Sequence, residues 1–166
     1  MADVKFENFS VQVKNALEDA VIAYLHEAAS VLESATIRNS SLEKYKGIPA
    51  RELWSHEVDE GDQKATVGSP HESAYWEEFG TGEHALYGNG RKGWWVYVEG
   101  SDTPRSHQNY YTQDEAEAIA ASMRAAGLDA YATNGRKPNR PLHNAFETKK
   151  SALIRRAEEV LKERLD

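Results

Sequence analysis

The chain has 166 residues, of which 40% are hydrophobic and 28% charged, and its formal net charge is −7. These values are ordinary for one globular domain with its own core, and the absence of cysteine excludes disulfides and thiolate metal sites. No apolar run approaches the roughly 20 residues that cross a bilayer, and the first residues lack an apolar signal core. We therefore expect no membrane contact and synthesis in the cytoplasm.

The first predicted element is a long amphipathic helix over residues of about 8–35. Its apolar residues recur at steps of three and four, which is the spacing of one helix face. The polar stretch from Thr36 to Ser41 is expected to end this helix. The apolar face consists of Val13, Leu17, Val21, Tyr24, Leu25, Ala28 and Leu32.

Two strands are predicted after a loop over residues 42–50. They cover residues 51–58 and 63–69, and the turn sequence Asp59-Glu-Gly-Asp62 joins them into a hairpin. Pro70 ends the second strand, because proline cannot donate a hydrogen bond to a neighbouring strand. The residues expected to face the core are Trp54, Val58, Ala65 and Val67.

An aromatic and acidic segment follows, Tyr75-Trp-Glu-Glu-Phe-Gly-Thr-Gly82. The spacing of Tyr75, Trp76 and Phe79 predicts a short helix that runs into a tight turn. Gly80 and Gly82 permit the positive φ angles that such a turn needs.

Residues 84–136 have a pattern of elements of their own. A strand is predicted over Trp94–Val98, then a helix opened by the capping box Thr112-Gln-Asp-Glu115 and closed by Gly127, then a strand over 129–133. This order predicts a minimal βαβ unit. The helix face that should pack on the strands consists of Ala116, Ile119, Ala120 and Met123.

The ends of this segment share the tetrapeptide Asn-Gly-Arg-Lys, at residues 89–92 and 134–137. We interpret the two tetrapeptides as basic turns at the base of one insertion, rather than as a repeat.

The last predicted element is a helix that begins at Pro141 and runs to about Leu165. Its basic residues are expected to form a solvated face or a surface against a neighbouring subunit. Its apolar stripe consists of Leu142, Phe146, Leu153, Ala157 and Leu161. The elements together predict one α+β domain over residues 1–166. In it, two long helices pack on a small, mainly antiparallel sheet, and a βαβ-like insertion interrupts the domain at about 84–136.

The sequence carries no spacing typical of catalysis. It has no His-Glu-x-x-His pair and no phosphate-binding Gly-x-x-x-x-Gly-Lys. Glu77 and Glu78 are adjacent, so on a helix their side chains point in different directions. We interpret His71 and His84 as loop residues. We predict no enzyme, no cofactor and no metal.

A role in nucleic-acid binding has some support in the insertion, where basic and aromatic residues interleave as they do in single-strand binders. However, residues 1–83 carry 7 basic and 16 acidic side chains, and residues 84–144 have a net charge of only +1. A general nucleic-acid binder needs a basic face. The alternative of a module that binds nucleic acid or a host factor rests on Arg91, Lys92, Trp94, Trp95, Arg105, Tyr110, Tyr111, Arg136, Lys137 and Arg140.

Two motifs in a fixed order suggest a family. Glu78-Phe-Gly-Thr81, with Tyr75 upstream, and Pro141-Leu-His-Asn-Ala-Phe146 resemble the paired motifs of the small tail-completion or neck (head–tail joining) proteins of long-tailed bacteriophages. This family is typified by gene product ten of a lambdoid phage. The resemblance covers roughly the first 83 and the last 30 residues. The insertion and the missing Arg-Pro-Ala ending depart from the family pattern.

The resemblance implies a structural virion protein of the phage neck that completes the tail or joins it to the head as a ring of copies. Another neck level, a head-closure or tail-terminator ring, stays open. The implied partners are connector or head-completion, tail-terminator and tail-tube proteins, with passing contact to DNA. The implied location is the virion, and the host cytoplasm during assembly. The motif residues that would serve assembly are Tyr75, Glu78, Phe79, Gly80, Thr81, Gly82, Pro141, Leu142 and Phe146.

Overall fold

A computed structural model describes residues 10–41, 44–45, 48–99 and 110–165. Residues 8 and 9, where the first helix is predicted to begin, lie outside the described residues, as does Arg105. The elements in chain order are α1 Ser10–Asn39, β1 Lys44–Tyr45, β2 Ile48–Pro49, α2 Ala50–Leu53, β3 Ser55–Asp59, β4 Lys64–Gly68, α3 Glu72–Phe79, a 3₁₀ turn Gly82–His84, β5 Trp95–Val98, α4 Gln113–Ala125, β6 Ala130–Thr133 and α5 Pro141–Leu165.

The fold class is α+β, as the sequence predicts. The two long helices are present, but the strands of the described part form separate two-stranded sheets, β1–β2, β3–β4 and β5–β6. All three pairs are antiparallel. The expectation of one sheet beneath both helices is thus met only in part. Helix α1 packs along α5 and against both strands of the β3–β4 hairpin.

The two long helices run antiparallel. The Asn39 amide donates to the carbonyl of Pro141 at 3.3 Å, and the Tyr24 hydroxyl donates to the carbonyl of Leu153 at 2.9 Å. Burial of the Tyr24 ring, with Glu27 nearby, raises the pKa of its hydroxyl, so it stays protonated as a donor. The buried apolar positions of this helix pair are small: Ala20, Ala28, Ala29, Ala35 and Ala145.

Helix α1 extends four residues beyond its predicted end. Thr36 is fully buried, and its hydroxyl donates to the carbonyl of Leu32 at 2.8 Å, one turn earlier. A threonine that bonds its own helix in this way no longer competes with the helix backbone. The polar stretch therefore does not end α1, and the helix runs on to Asn39.

The hairpin forms close to its predicted position, and its inward residues are confirmed. The strand predicted over 51–58 begins only at Ser55, because residues 50–53 form the short helix α2. Leu53 and Trp54 are buried there against Ala74 of α3. Val58, Ala65 and Val67 are half-buried on the α1 side, together with His56, whose Nδ1 contacts the Glu33 carboxylate of α1.

The segment β5–α4–β6 has the predicted order and caps. The Thr112 capping box is present. At the other end, the Leu128 N–H bonds to the carbonyl of Met123 and the Gly127 N–H to that of Arg124, which is a Schellman motif. Ala116 and Ala120 are fully buried, and Ile119 and Met123 are half-buried.

The prediction of a βαβ unit is wrong in its strand direction, because β5 and β6 pair antiparallel. The cause is the place where α4 begins. Tyr111, just before α4, exchanges backbone hydrogen bonds of 3.1 Å with Trp94, just before β5, so the chain has returned to the start of β5 before the helix forms. Only two residues separate the Gly127 cap from β6, so β6 starts beside the end of α4, near the end of β5. There Ala130 pairs with Val98, the last residue of β5. The strand therefore runs back along β5.

Helix α5 spans Pro141–Leu165 as predicted, but its apolar stripe is not fully covered. Leu142, Leu153 and Ala157 are half-buried. Phe146 is 43% exposed and Leu161 is 41% exposed. The hairpin packs on α1, and this leaves one side of the α5 stripe open.

We expect Ala145→Leu to lower the free energy of unfolding by about 1–3 kcal/mol, because a larger side chain overpacks a fully buried position. The control is Ala152→Leu, at an exposed position of the same helix, which should change stability by less than about 0.5 kcal/mol. Urea unfolding followed by circular dichroism measures both. Equal effects of the two variants would contradict close packing of α5.

Candidate interaction site at the Gly-Thr-Gly turn

The carboxylate of Glu78 caps the N-terminus of α5. It accepts the backbone N–H of Leu142 at 2.9 Å and that of His143 at 3.2 Å. These are the second and third residues of the helix, whose N–H groups lack partners within the helix. Arg140, at the capping position, has no side chain suited to accept them, and Pro141 has no N–H. The negative charge of Glu78 is also attracted to the positive pole of the helix dipole at this end.

The neighbouring carboxylate, Glu77, is fully buried and joins both long helices. It accepts hydrogen bonds from the Ser40 hydroxyl at 2.7 Å and the Ser41 hydroxyl at 2.8 Å, just beyond α1. It also accepts the Asn139 amide at 3.0 Å, just before α5. The backbone carbonyl of Glu77 accepts the N–H groups of Asn139 and Arg140.

The surroundings of Glu77 favour its charged form. Burial alone would raise the pKa of this carboxyl group, but the hydrogen bonds from Ser40, Ser41 and Asn139 outweigh burial and lower it. Hydrogen bonds to a carboxylate stabilise the ionised state because only that state accepts all of them. Glu77 is thus a buried anion held by neutral donors.

The turn after α3 is an interlock of backbone segments. Gly80 and Gly82 have φ angles of 71° and 59°, as predicted. The Thr81 N–H bonds to the Arg136 carbonyl and the Glu83 N–H to the Asn134 carbonyl, both at 2.9 Å. A Cβ on Gly82 would overlap the carbonyl of Asn134.

The two Asn-Gly-Arg-Lys turns meet at this interlock. A Cβ on Gly90 would overlap the carbonyl of Gly82, and a Cβ on Gly135 would overlap that of Thr81. Both tetrapeptides therefore use their glycine for close backbone contact with the same turn. This contact agrees with the interpretation of the tetrapeptides as two turns at one base. The prediction of an insertion at about 84–136 stays a prediction.

On the surface, the Glu83 side chain joins the two flanks of the β5–α4–β6 segment, which are the residues just before β5 and just after β6. Its carboxylate accepts the Gly93 N–H at 3.1 Å and the Asn134 amide at 3.1 Å. Both bonds lower the pKa of Glu83, and the bond from Gly93 has the larger effect. The side-chain oxygen of Asn134 also lies 3.3 Å from Nε2 of His84.

An open aromatic groove of about 210 Å³ lies beside the interlock. Phe79 is half-buried between two tyrosines, with its ring centroid 4.8 Å from that of Tyr75 and 5.8 Å from that of Tyr87. Tyr75 is 55% exposed and Tyr87 is 69% exposed. The groove is lined by Tyr75, Trp76, Phe79, Gly80, Thr81, Gly82, Ala85, Tyr87, Asn89 and Gly90.

The predicted motif residues separate into three groups. Tyr75, Phe79, Gly80, Thr81 and Gly82 line the aromatic groove. The two predicted motifs meet where the Glu78 carboxylate accepts the Leu142 N–H in the first turn of α5, which begins at the buried Pro141.

Phe146 lies elsewhere. Together with Leu142 and Glu78, it lines a second open groove, of about 400 Å³. The other lining residues are Ala28, Ala29, Leu32, Ala65, Val67 and His143.

Two residues of the site escaped the sequence prediction. Glu77 was discounted because adjacent helix residues diverge. They do diverge, but both carboxylates find donors. Glu78 accepts backbone N–H groups at the start of α5, and Glu77 accepts the Ser41 N–H after α1 and the Asn139 side-chain amide before α5. The signal available in the sequence was the lack of a capping residue before Pro141. Tyr87 stands in a glycine-rich stretch without periodicity, so no pattern pointed to its contact with Phe79.

The carboxylates of the site serve structural hydrogen bonds. Within the described residues, no three His, Asp or Glu side chains lie close enough together to hold a metal ion. The two buried carboxylates are occupied by backbone and side-chain donors. The arrangement can present a shaped aromatic surface on a rigid turn, which is suited to binding.

Comparison of the chain with protein-family models, with curated proteins and with solved structures found no match. The helices in the described ranges include none with the length and apolar character needed to span a bilayer.

We expect acid to weaken the fold through Glu77. Its pKa is lowered in the folded protein, so its contribution to stability is complete above the unfolded value of about 4.3 and is lost as the pH falls through the folded pKa. Glu77→Gln should cost about 1–3 kcal/mol at neutral pH, because the amide cannot accept every donor. Urea unfolding between pH 7 and 3 measures this. Unchanged pH dependence in the variant would contradict the assignment.

Gly82→Ala should disrupt the interlock far more than Gly88→Ala. Both glycines have positive φ angles, 59° and 68°, so alanine pays a similar backbone cost of about 1–2 kcal/mol at each. Only at Gly82 would the added Cβ overlap a neighbouring carbonyl, since Gly88 faces open space. The difference in melting temperature between the two variants measures the effect of this overlap alone. Similar melting temperatures would mean that the close approach at Gly82 is unimportant.

Proposed function

We propose that the chain is a structural protein of the phage neck that completes the tail or joins it to the head as a ring of copies. Its partners are the connector or head-completion, tail-terminator and tail-tube proteins. The chain also makes passing contact with DNA. The protein belongs to the virion, and to the host cytoplasm during assembly.

The observation that carries this proposal is the direct contact between the two motifs of the resemblance. Glu78 of the first motif caps the helix that the second motif begins, across 64 residues of sequence. Two short motifs that bond to each other are more specific together than either is alone. Their contact explains why a glutamate should precede Phe-Gly-Thr and why a proline should begin the last helix.

The aromatic groove supports an assembly role for this site. Exposed tyrosines that flank a half-buried phenylalanine provide large contact area at little cost in side-chain entropy, and aromatic residues are enriched at protein interfaces. Here Tyr75 and Tyr87 stand on a helix and a turn that the interlock holds rigid. A neighbouring neck subunit is the partner that the proposal assigns to the groove.

The open side of α5 supports packing against further copies. Phe146, Ile154 and Leu161 are between 41% and 52% exposed along one helix. Apolar side chains repeated along an uncovered helix are typical of surfaces that bind other proteins. The ring of copies would cover this surface in the assembled particle.

We expect Tyr87→Ala to leave the fold intact and to prevent assembly, because the ring is 69% exposed and removal costs little burial. The matched control is Tyr131→Ala, which removes a tyrosine 42% exposed on β6. Complementation of a particle that lacks the gene, with electron microscopy of heads and tails, gives the readout. Full complementation by Tyr87→Ala, with normal melting, would contradict a role of the aromatic groove in assembly.

A second candidate function is supported by one face of the β5–β6 sheet. Tyr97 and Tyr131 stack across the strands with centroids 5.4 Å apart, and both rings are more than 40% exposed. The Arg91 guanidinium lies 4.9 Å from the Trp95 ring and 5.9 Å from the Tyr110 ring. Exposed rings beside a cation are what single-stranded nucleic acid stacks on.

A gel-shift titration with single-stranded DNA at physiological salt separates the two candidates. If the insertion binds nucleic acid, Tyr97→Ala together with Tyr131→Ala should weaken binding by about tenfold or more, since each stacked base contributes about 1–3 kcal/mol. Tyr75→Ala, outside this face, should change nothing. The absence of a shift with the unaltered protein would remove the nucleic-acid candidate and leave the neck proposal untouched.

A further inference from the structure

The chain contains two Asn-Gly sequences in identical tetrapeptides, Asn89-Gly90-Arg-Lys and Asn134-Gly135-Arg-Lys. Asn-Gly is the sequence most prone to spontaneous deamidation, because glycine has no side chain to obstruct its backbone nitrogen. The local sequences cannot distinguish the two asparagines. Any difference in their reactivity must come from the fold.

We propose that Asn89 is a site of spontaneous deamidation and that the fold protects Asn134 from the same reaction. In this reaction the backbone nitrogen of the glycine bonds to the side-chain carbonyl carbon of the asparagine. The bond from that carbon to Nδ2 breaks, and ammonia leaves with the proton given up by the glycine N–H. Water then opens the cyclic imide to aspartate or isoaspartate, so solvent is the only co-reactant.

Asn134 is held at every group that must move. Its Nδ2 donates to Glu83 at 3.1 Å, its Oδ1 faces Nε2 of His84 at 3.3 Å, and its backbone carbonyl accepts the Glu83 N–H at 2.9 Å. The attacking nitrogen, that of Gly135, donates to the Thr133 hydroxyl at 3.0 Å. Cyclisation would require these bonds to break together, with Gly135 leaving its contact against Thr81.

Asn89 lacks the hydrogen bonds that restrain Asn134. It is exposed on the loop that follows the 3₁₀ turn. Within the described residues, neither its side chain nor the N–H of Gly90 makes a hydrogen bond. Gly88, immediately before it, faces open space with a φ angle of 68°. The Asn89 side chain and the attacking nitrogen therefore have no hydrogen bond to break before attack. A close contact of the glycine is common to both sites, since Gly90 lies against Gly82 as Gly135 lies against Thr81.

The position of Asn89 gives the reaction a consequence. Asn89 lines the aromatic groove beside Tyr87 and Phe79. Deamidation would place a carboxylate on the rim of that groove, and isoaspartate would also lengthen the backbone there. Deamidation of Asn134 would instead set a carboxylate against that of Glu83 and break the bond that joins the two flanks.

The test is peptide mapping by mass spectrometry after incubation of the whole protein at mildly alkaline pH, with and without urea. In urea the identical tetrapeptides should react at similar rates. In the folded protein, Asn134 should react at least about tenfold more slowly than Asn89, because its hydrogen bonds must break in a local opening before attack. Equal folded rates, a faster Asn134, or an Asn89 as slow as Asn134 would each overturn the proposal.

Two variants check the structural argument independently of the reaction. Asn89→Asp should melt like the unaltered protein, whereas Asn134→Asp should melt at a lower temperature. Should Asn134→Asp fail to fold, His84→Ala provides the second measurement. It removes one restraint on Asn134, and the folded rate at Asn134 should then rise while that at Asn89 stays the same. An unchanged rate at Asn134 would overturn the proposal that these contacts slow its deamidation.

Discussion

The fold depends on two adjacent buried carboxylates that satisfy the ends of two helices. Glu78 replaces the missing capping residue of α5, and Glu77 binds the segments that follow α1 and precede α5. A buried charge is tolerated only when hydrogen bonds replace its hydration. The two long helices must therefore keep the positions in which their ends supply these donors, because any other arrangement would leave both anions without partners. The short helix α3, made of aromatic and acidic residues, therefore controls the relative position of α1 and α5.

The interlock extends this control to the rest of the chain. Three backbone segments meet there, from residues 80–83, 90–93 and 134–136. A Cβ at any of four glycines in these segments would collide with a carbonyl: Gly80, Gly82, Gly90 and Gly135. Because the segments touch through backbone, their spacing cannot adjust by a change of rotamer. The β5–α4–β6 unit is thus fixed to the same turn that presents the aromatic groove, and a displacement of that unit would be felt at Phe79 and Tyr87. The groove and the unit form one surface whose shape is set by glycines.

Local patterns in the sequence predicted the helices α1, α3, α4 and α5, the caps of α4 and the inward face of the hairpin, because each is determined within a few residues. The direction of β6 could not be read this way. It follows from the pairing of Tyr111 with Trp94, which brings the chain back to the start of β5 before α4 begins, whereas the strand–helix–strand order suggested a parallel return. The end of α1 was missed because Thr36 is polar in sequence but buried in the fold. The role of Glu77 was missed because its partners, Ser40 and Asn139, are distant in sequence and come together only in the folded protein.

The cap that Glu78 provides also constrains the order in which the protein can fold. A helix with its own capping residue carries that cap from the start, whereas α5 gains its cap only when it meets Glu78, 64 residues earlier in the chain. Closing a loop of that length costs chain entropy before any contact repays it. Because α5 follows the other described elements in the chain, the side of α1 that packs on α5 stays uncovered until α5 has left the ribosome. Over that interval this side of α1 would be open to chaperones and to other nascent copies.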